Sequence, residues 1–275
     1  MAVAFETIQT ATSDSPGLTL TKPTGLTVGE SLVAGLTISG DSSPVITAPA
    51  GWTTTDTKTL SAGNARTSIF QKVADSSDVA ASNFSFTATA NTSAPTVAGF
   101  MMRISGFGIQ SGFVTAAATG TSGSTGATTP TRINNLMLII TASASGGDFT
   151  PPTSSGYQIV TNNPTWTERA DVGIGSGSYM ATIAVATASR PEITSTGAAS
   201  FTLSESKSLS ISLLSLGPVV SGSITPTTQL NTYALNPIPK TGLDIIVTEP
   251  DEVISNPAIW VNDAKPSTTW TNEQK

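Results

Sequence analysis

The side chains able to do chemistry in this 275-residue chain are a restricted set, because it contains no histidine and no cysteine. That excludes imidazole acid–base catalysis, Ser-His-Asp and Cys-His nucleophiles, disulfides, and zinc sites built on thiolate or imidazole. Paired carboxylates, Ser-Lys chemistry or an oxygen-ligated cation are the designs left. The acids Glu6, Asp14, Glu30, Asp41, Asp56, Asp75, Asp78, Asp148, Glu168, Asp171, Glu192 and Glu205 stand singly at expected turns. Asp75-Ser76-Ser77-Asp78 is the densest group, yet it lacks the spacing of a calcium loop and reads as an Asx turn between strands. No catalytic residue, cofactor site or metal site is therefore assigned, and a non-enzymatic protein is expected. Trp52, entered from Pro49-Ala50-Gly51, and Trp166, after Pro164-Thr165, are the two candidates for an aromatic platform on which a sugar could stack. Core packing is the alternative for both.

The elements that must position these residues read as strands. Only 11% of residues are charged, and short runs of Val, Ile, Thr and Phe are punctuated by Gly, Pro, Asp and Ser. Asn83-Phe84-Ser85-Phe86-Thr87-Ala88-Thr89 alternates large apolar with small polar residues, and Leu209-Ser210-Ile211-Ser212-Leu213 repeats the pattern. The fold expected is all-β, a jelly-roll-like sandwich over residues 1–218 followed by an extended C-terminal arm, 219–275. Twelve basic against eighteen acidic residues give a net charge of −6, with no basic cluster, so a nucleic-acid partner is not expected. The longest apolar run, Leu136 to Ile140, is strand-sized, and the start lacks a basic and apolar leader. Synthesis in a cytoplasm and no membrane partner are expected.

A weak internal duplication organises the sandwich. Residues near 30–107 and 135–217 carry the same order of features: an apolar strand, a Gly/Asp/Ser turn, a Pro-rich loop into an aromatic, a strand ending in Val-Ala, an acid-bearing linker (Asp78; Glu192), a Phe strand (Phe84; Phe201) and a closing apolar strand. The halves are placed at about 25–112 and 131–218, with 119–130, which lacks any large apolar side chain, as a surface loop between them. Beyond Pro218, frequent prolines argue against helix or central strand. The arm nonetheless carries Ile245, Ile246, Val247, Ile259, Trp260 and Trp270, the last two heading a ten-residue repeat of Trp, Asn, acid and Lys. These six are the expected subunit-interface residues, since Trp is enriched at interface hot spots.

Gly29-Glu30-Ser31-Leu32-Val33, Pro49-Ala50-Gly51-Trp52-Thr53, Phe70-Gln71-Lys72-Val73-Ala74-Asp75 and Phe84-Ser85-Phe86 together resemble a motif series of β-sandwich modules in bacteriophage virion proteins. The series departs from the family pattern at Glu30, where Asp is usual, and at Phe70, where Tyr is usual. The resemblance covers about residues 25–217, and the closing Trp270-Thr271-Asn272-Glu273 is similar to short repeats at the end of some phage structural proteins. It implies a virion component, tail-associated (fibre, baseplate or neck) or alternatively a capsid decoration protein. Its partners would be copies of itself and other virion proteins. A receptor-binding module for a host surface glycan is the reading from a different class.

Overall fold

The computed structural model describes residues 3–40, 43–60, 64–90, 95–146, 150–176 and 179–218. The chain divides into two compact units, Met1–Val220 and Ser221–Lys275, and the second lies outside the described residues. The first is all-β with one short helix. Its strands are β1 (Ala4–Ser13), β2 (Leu18–Thr21), β3 (Ser31–Ser39), β4 (Val45–Thr47), β5 (Thr53–Leu60), β6 (Ala65–Val73), β7 (Asn83–Thr89), β8 (Thr96–Ser105), β9 (Phe107–Ala127), β10 (Asn135–Gly146), β11 (Ser154–Ile159), β12 (Thr167–Ser176), β13 (Tyr179–Arg190) and β14 (Ala198–Pro218). Helix α1 is a single turn, Ser76–Ala80.

The first half, β1 to β8, is a five-stranded antiparallel sheet in the order β1-β8-β3-β6-β5, covered on one face by the three-stranded sheet β2-β7-β4. Between these layers lie Leu18, Leu20, Leu32, Leu36, Ile38, Phe70, Phe84, Phe86 and Met101. The alternation along β7 is the cause: Phe84, Phe86 and Ala88 are buried, while Asn83, Ser85 and Thr87 face solvent. The second half repeats the plan with fewer, longer strands. Gln110–Thr119 of β9 pairs with Ser208–Leu216 of β14, giving the order β9-β14-β10-β13-β12. The other ends of β9 and β14 pair with each other and, through β14, with β11. This three-stranded layer folds back so that Ile159, Phe201 and Leu203 pack with Met137, Ile139, Leu209, Ile211 and Leu213.

The correspondence extends to irregularities. The edge strand β1 skips a residue between Phe5 and Thr7, opposite Ile104 and Arg103, and β9 skips one between Gln110 and Gly112, opposite Leu216 and Ser215. The opposite edges, β5 and β12, slip between Thr54 and Asp56 and between Glu168 and Ala170. The turn into β3 passes through Gly29 at φ 91°, and the turn into β10 through Asn134 at φ 55°. Both are left-handed positions, which glycine and asparagine tolerate best.

The segment 119–130 is not a surface loop, contrary to the sequence expectation, because β9 runs through it to Ala127. At Gly123 packing demands a small residue: a Cβ there would lie 2.5 Å from Leu209 Cδ1 and 2.8 Å from Phe201 Cε1. The halves are instead joined at Gly106, and β1, β2 and β9 belong to them as fully as the later strands do. The aromatic that follows the Pro-rich loop of the second half in the expected duplication, Tyr157 after Pro151-Pro152, does not correspond to Trp52. Tyr157 lies within β11, whereas Trp166, like Trp52, immediately precedes the edge strand, β12 or β5.

The two large sheets stack through their remaining faces. Val33, Ile69, Phe100, Met102 and Ile104 meet Leu136, Leu138, Ile140, Ile183, Val185, Leu214 and Leu216 in one buried cluster. β1 lies against β12, β3 against β13 and β10, and β5 against β9 and β14, so strand order in one sheet runs opposite to that in the other. Ser39, at the end of β3, meets Ser145, near the end of β10, with Oγ 3.4 Å from the carbonyl oxygen. Reversed order with equivalent ends together describes a two-fold axis running along the strands. Phe100 is fully buried in this inner layer. Phe100→Ala should therefore cost about 3–5 kcal/mol, read as a lowered denaturant midpoint for the unit.

Candidate functional site

The motif residues around Trp52 converge on one corner of the first half. Gly51 takes φ 84°, turning the chain into β5, and a Cβ there would come within 3.1 Å of Lys72 Nζ. The half-buried Trp52 ring meets Phe84 and Phe86 edge-on, with centroids 5.7 and 5.5 Å apart, and Phe86 lies 5.6 Å from Phe70. Its Nε1 is enclosed and makes no hydrogen bond among the described residues. Below the turn, Lys72 Nζ donates to Asp78 Oδ1 at 2.7 Å and lies 3.4 Å from Asp75. Asp75 is the N-cap of α1 and accepts from the backbone N–H groups of Ser77 and Asp78. Asp78 in turn accepts from Asp75 N–H at 2.9 Å. Capping satisfies helix donors that would otherwise be orphaned. The two carboxylates thus hold an ammonium and a helix start.

These contacts set the titration of the corner. Ser77 and the Asp78 N–H, bonded to Asp75, hold its carboxyl far below the usual range. Burial would lower the Lys72 pKa, but the Asp78 and Asp75 carboxylates outweigh it and raise it. In the second half the counterpart is looser. Arg190, only 2% exposed, sits 3.7 Å from Glu192 through Nη2, which also donates to Thr194 Oγ1 at 3.0 Å and the Ser195 carbonyl at 3.2 Å. The half-buried Trp166 donates from Nε1 to Asn163 Oδ1 at 3.0 Å, and that oxygen also accepts the Ile159 N–H.

An ion pair between the turn into β3 and strand β8 completes the set. Arg103 grips Glu30 with two bonds, Nε to Oε2 at 2.7 Å and Nη2 to Oε1 at 2.8 Å, while Nη1 donates to the Thr24 carbonyl at 3.1 Å. The bidentate fork is the strong geometry for this pair. The Arg103 bonds, aided by the Thr27 N–H, lower the Glu30 pKa against the opposing effect of burial. Asp171, on β12, shows the reverse: burial raises its carboxyl although it accepts the Ser154 N–H at 2.6 Å. Neither the Glu30–Arg103 pair nor the buried Arg190 was identified as a site from sequence. The available signal was a single arginine inside each of the apolar strands Thr96–Ser105 and Tyr179–Arg190.

The structure therefore brings Trp52, Lys72, Asp75, Asp78, Phe84 and Phe86 together and keeps Trp166 apart from them, in the second half. Ile245, Ile246, Val247, Ile259, Trp260 and Trp270, the expected interface residues, lie outside the described residues. Among the described residues, no three Asp or Glu side chains gather as metal ligands, and no helix is long and apolar enough to cross a membrane. What the arrangement does is fix two turns and a helix start against a sheet. No family model matches the chain, and comparison with curated proteins and with solved structures finds no match.

The lowered Glu30 pKa makes stability pH-dependent with a defined sign. A carboxyl whose folded pKa lies below its unfolded value stabilises the fold above the unfolded pKa, here about 4.5, and loses that contribution as pH falls towards the folded pKa. Glu30→Gln should lower the denaturant midpoint at pH 7 and flatten its decline between pH 5 and pH 3. Trp52→Ala should cost about 3 kcal/mol in the same assay, through loss of the edge contacts with Phe84 and Phe86.

Proposed function

We propose that this chain is a non-enzymatic structural protein of a bacteriophage virion, tail-associated, and joined to neighbouring subunits through residues 219–275. The observation supporting this reading is the corner just described. Residues that carry the resemblance to phage sandwich modules, among them Gly51, Trp52, Phe70, Lys72, Asp75, Phe84 and Phe86, spend their side chains or their backbone freedom on one another. A motif used in this way builds a module. The sheet edges agree with a role in ordered assembly. β1, β5, β9, β11 and β12 each carry a register slip, which makes uncontrolled strand addition less favourable and leaves specific surfaces to make the joints.

The test compares the full chain with one ending at Pro218, by size-exclusion chromatography with light scattering and by incorporation into particles. Residues 1–218 contain every strand of the first unit and its cores. The truncated protein should keep its β circular dichroism, be monomeric, and fail to join the particle. The full chain should assemble. Normal incorporation of the truncated protein would contradict the reading.

A further inference from the structure

We propose that the inner face of each half is a self-recognising surface, and that a second copy of this chain can supply its partner by exchanging halves about Gly106. The proposal is independent of the virion reading and stands on the inner layer alone. Three observations carry it.

The first is the symmetry of the contact. β1 on β12 is matched by β9 on β5, β8 on β12 by β14 on β5, and β3 on β13 by β10 on β6, while the close approach of β8 to β13 is matched more loosely, by the Ser210–Thr67 contact between β14 and β6. Contacts that occur in such reciprocal pairs define an isologous interface, the kind found in two-fold dimers of separate chains. Equivalent register positions also supply equivalent side chains: Val33 and Leu138, Ile69 and Val185, Met102 and Leu214, Ile104 and Leu216. The inner layer therefore has the form of a dimer interface whose two subunits have been fused.

The second observation is how little else joins the halves. Among the described residues, every strand pairing of β1 to β8 stays within those strands, and every pairing of β9 to β14 within those. Each half also has an outer core of its own. Among the described residues, three hydrogen bonds seen between them are long, Ser210 Oγ to Thr67 Oγ1, Ser212 Oγ to Asp56 Oδ2 and Ser39 Oγ to the Ser145 carbonyl, each 3.4 Å, and at the rim the Arg169 guanidinium of β12 lies over the Phe5 ring of β1, 4.2 Å from its centroid. An apolar, mostly non-directional contact does not care which chain provides its other side.

The third is the connector. A single residue, Gly106 at φ 66°, separates β8 from β9 and turns the chain from one sheet into the other. Were Gly106 extended, β8 would run straight on into β9, and the second half would be delivered to another molecule. The left-handed conformation that closes the single-chain form costs glycine little and a β-branched residue far more, whereas the extended form suits both. Exchange of identical elements between protomers is a low-cost route to dimers when the hinge is short.

Because the chain has no cysteine, the exchange can be read directly. Thr67 and Ser210 are buried, 3% and 2% exposed, and face each other across the inner layer. Two full-length chains are prepared, one with Thr67→Cys and one with Ser210→Cys, each also carrying Gly106→Val. They are unfolded, mixed, refolded together and oxidised, and a chain bearing both cysteines serves as the reference for internal closure. A disulfide between unlike chains forms only where the first half of one packs on the second half of the other, so oligomers formed through residues 219–275 do not contribute. The Gly106→Val mixture should give this heterodimer in about tenfold greater yield than a mixture retaining Gly106. A Gly106→Val mixture that refolds with native β circular dichroism and yields no such heterodimer overturns the proposal. If Gly106→Val does not fold, the mixture retaining Gly106, refolded at high concentration, decides: a cross-chain disulfide supports exchange, and its absence overturns it.

Discussion

The fold depends on one contact, the apolar layer between the two five-stranded sheets. Each sheet is buried on both faces, by its own three-stranded cover on one side and by the opposite sheet on the other. That is why β3 has no exposed residue, and why β10 and β13 read as nearly continuous apolar and small-residue runs without clean alternation. A sheet with only one covered face would expose its inner residues to water. The layer is also where single residues are most constrained: a Cβ on Gly35 would stand 2.6 Å from Phe100 Cε1 and 3.0 Å from Ile183 Cδ1. Close packing of this kind fixes the register of one half against the other.

Charged groups play a different part, at the periphery. Glu30–Arg103 and Lys72–Asp78 are partly buried pairs that fasten turns to the sheet, and each involves hydrogen bonds in near-ideal geometry. In the second half the position of Lys72 is taken by Ala188, and Arg190 serves instead two residues further along. The two halves share the position of the corner and differ in its chemistry. Burial pattern constrains a strand more tightly than the identity of an ion pair does.

The all-β class and most strands were legible in the sequence because burial on one face writes a period of two, as in Asn83–Thr89. Leu209–Leu213 alternates in the same way, yet its serines do not face water as that pattern suggests: Ser210 and Ser212 are buried against the first sheet, beside Thr67 and Asp56. The strand formed by 119–127 was not, since its Gly, Ser, Thr and Ala residues carry no apolar signal; most of them face solvent, and at Gly123 Phe201 and Leu209 leave no room for a side chain. Likewise Asp75–Asp78 announces a turn, but that its second carboxylate reaches back to Lys72 depends on the β6 register and cannot be read from spacing. Trp52 was visible as a singular residue, and its contacts with Phe84 and Phe86 became visible only when β7 was placed across the sheet from it. The order of elements is written in the letters, whereas the way two faces meet is a property of packing.

The central claim is that the two halves share a single inner core, and hydrogen exchange on the native protein tests it most directly. If the layer binds the halves as described, the slowest-exchanging amides should lie in β3, β8, β10 and β14 together and report the same opening free energy, that of global unfolding. If the central strands of one half exchanged through an opening of markedly lower free energy while those of the other stayed protected, the halves would be separately stable bodies in loose contact, and the account would fail.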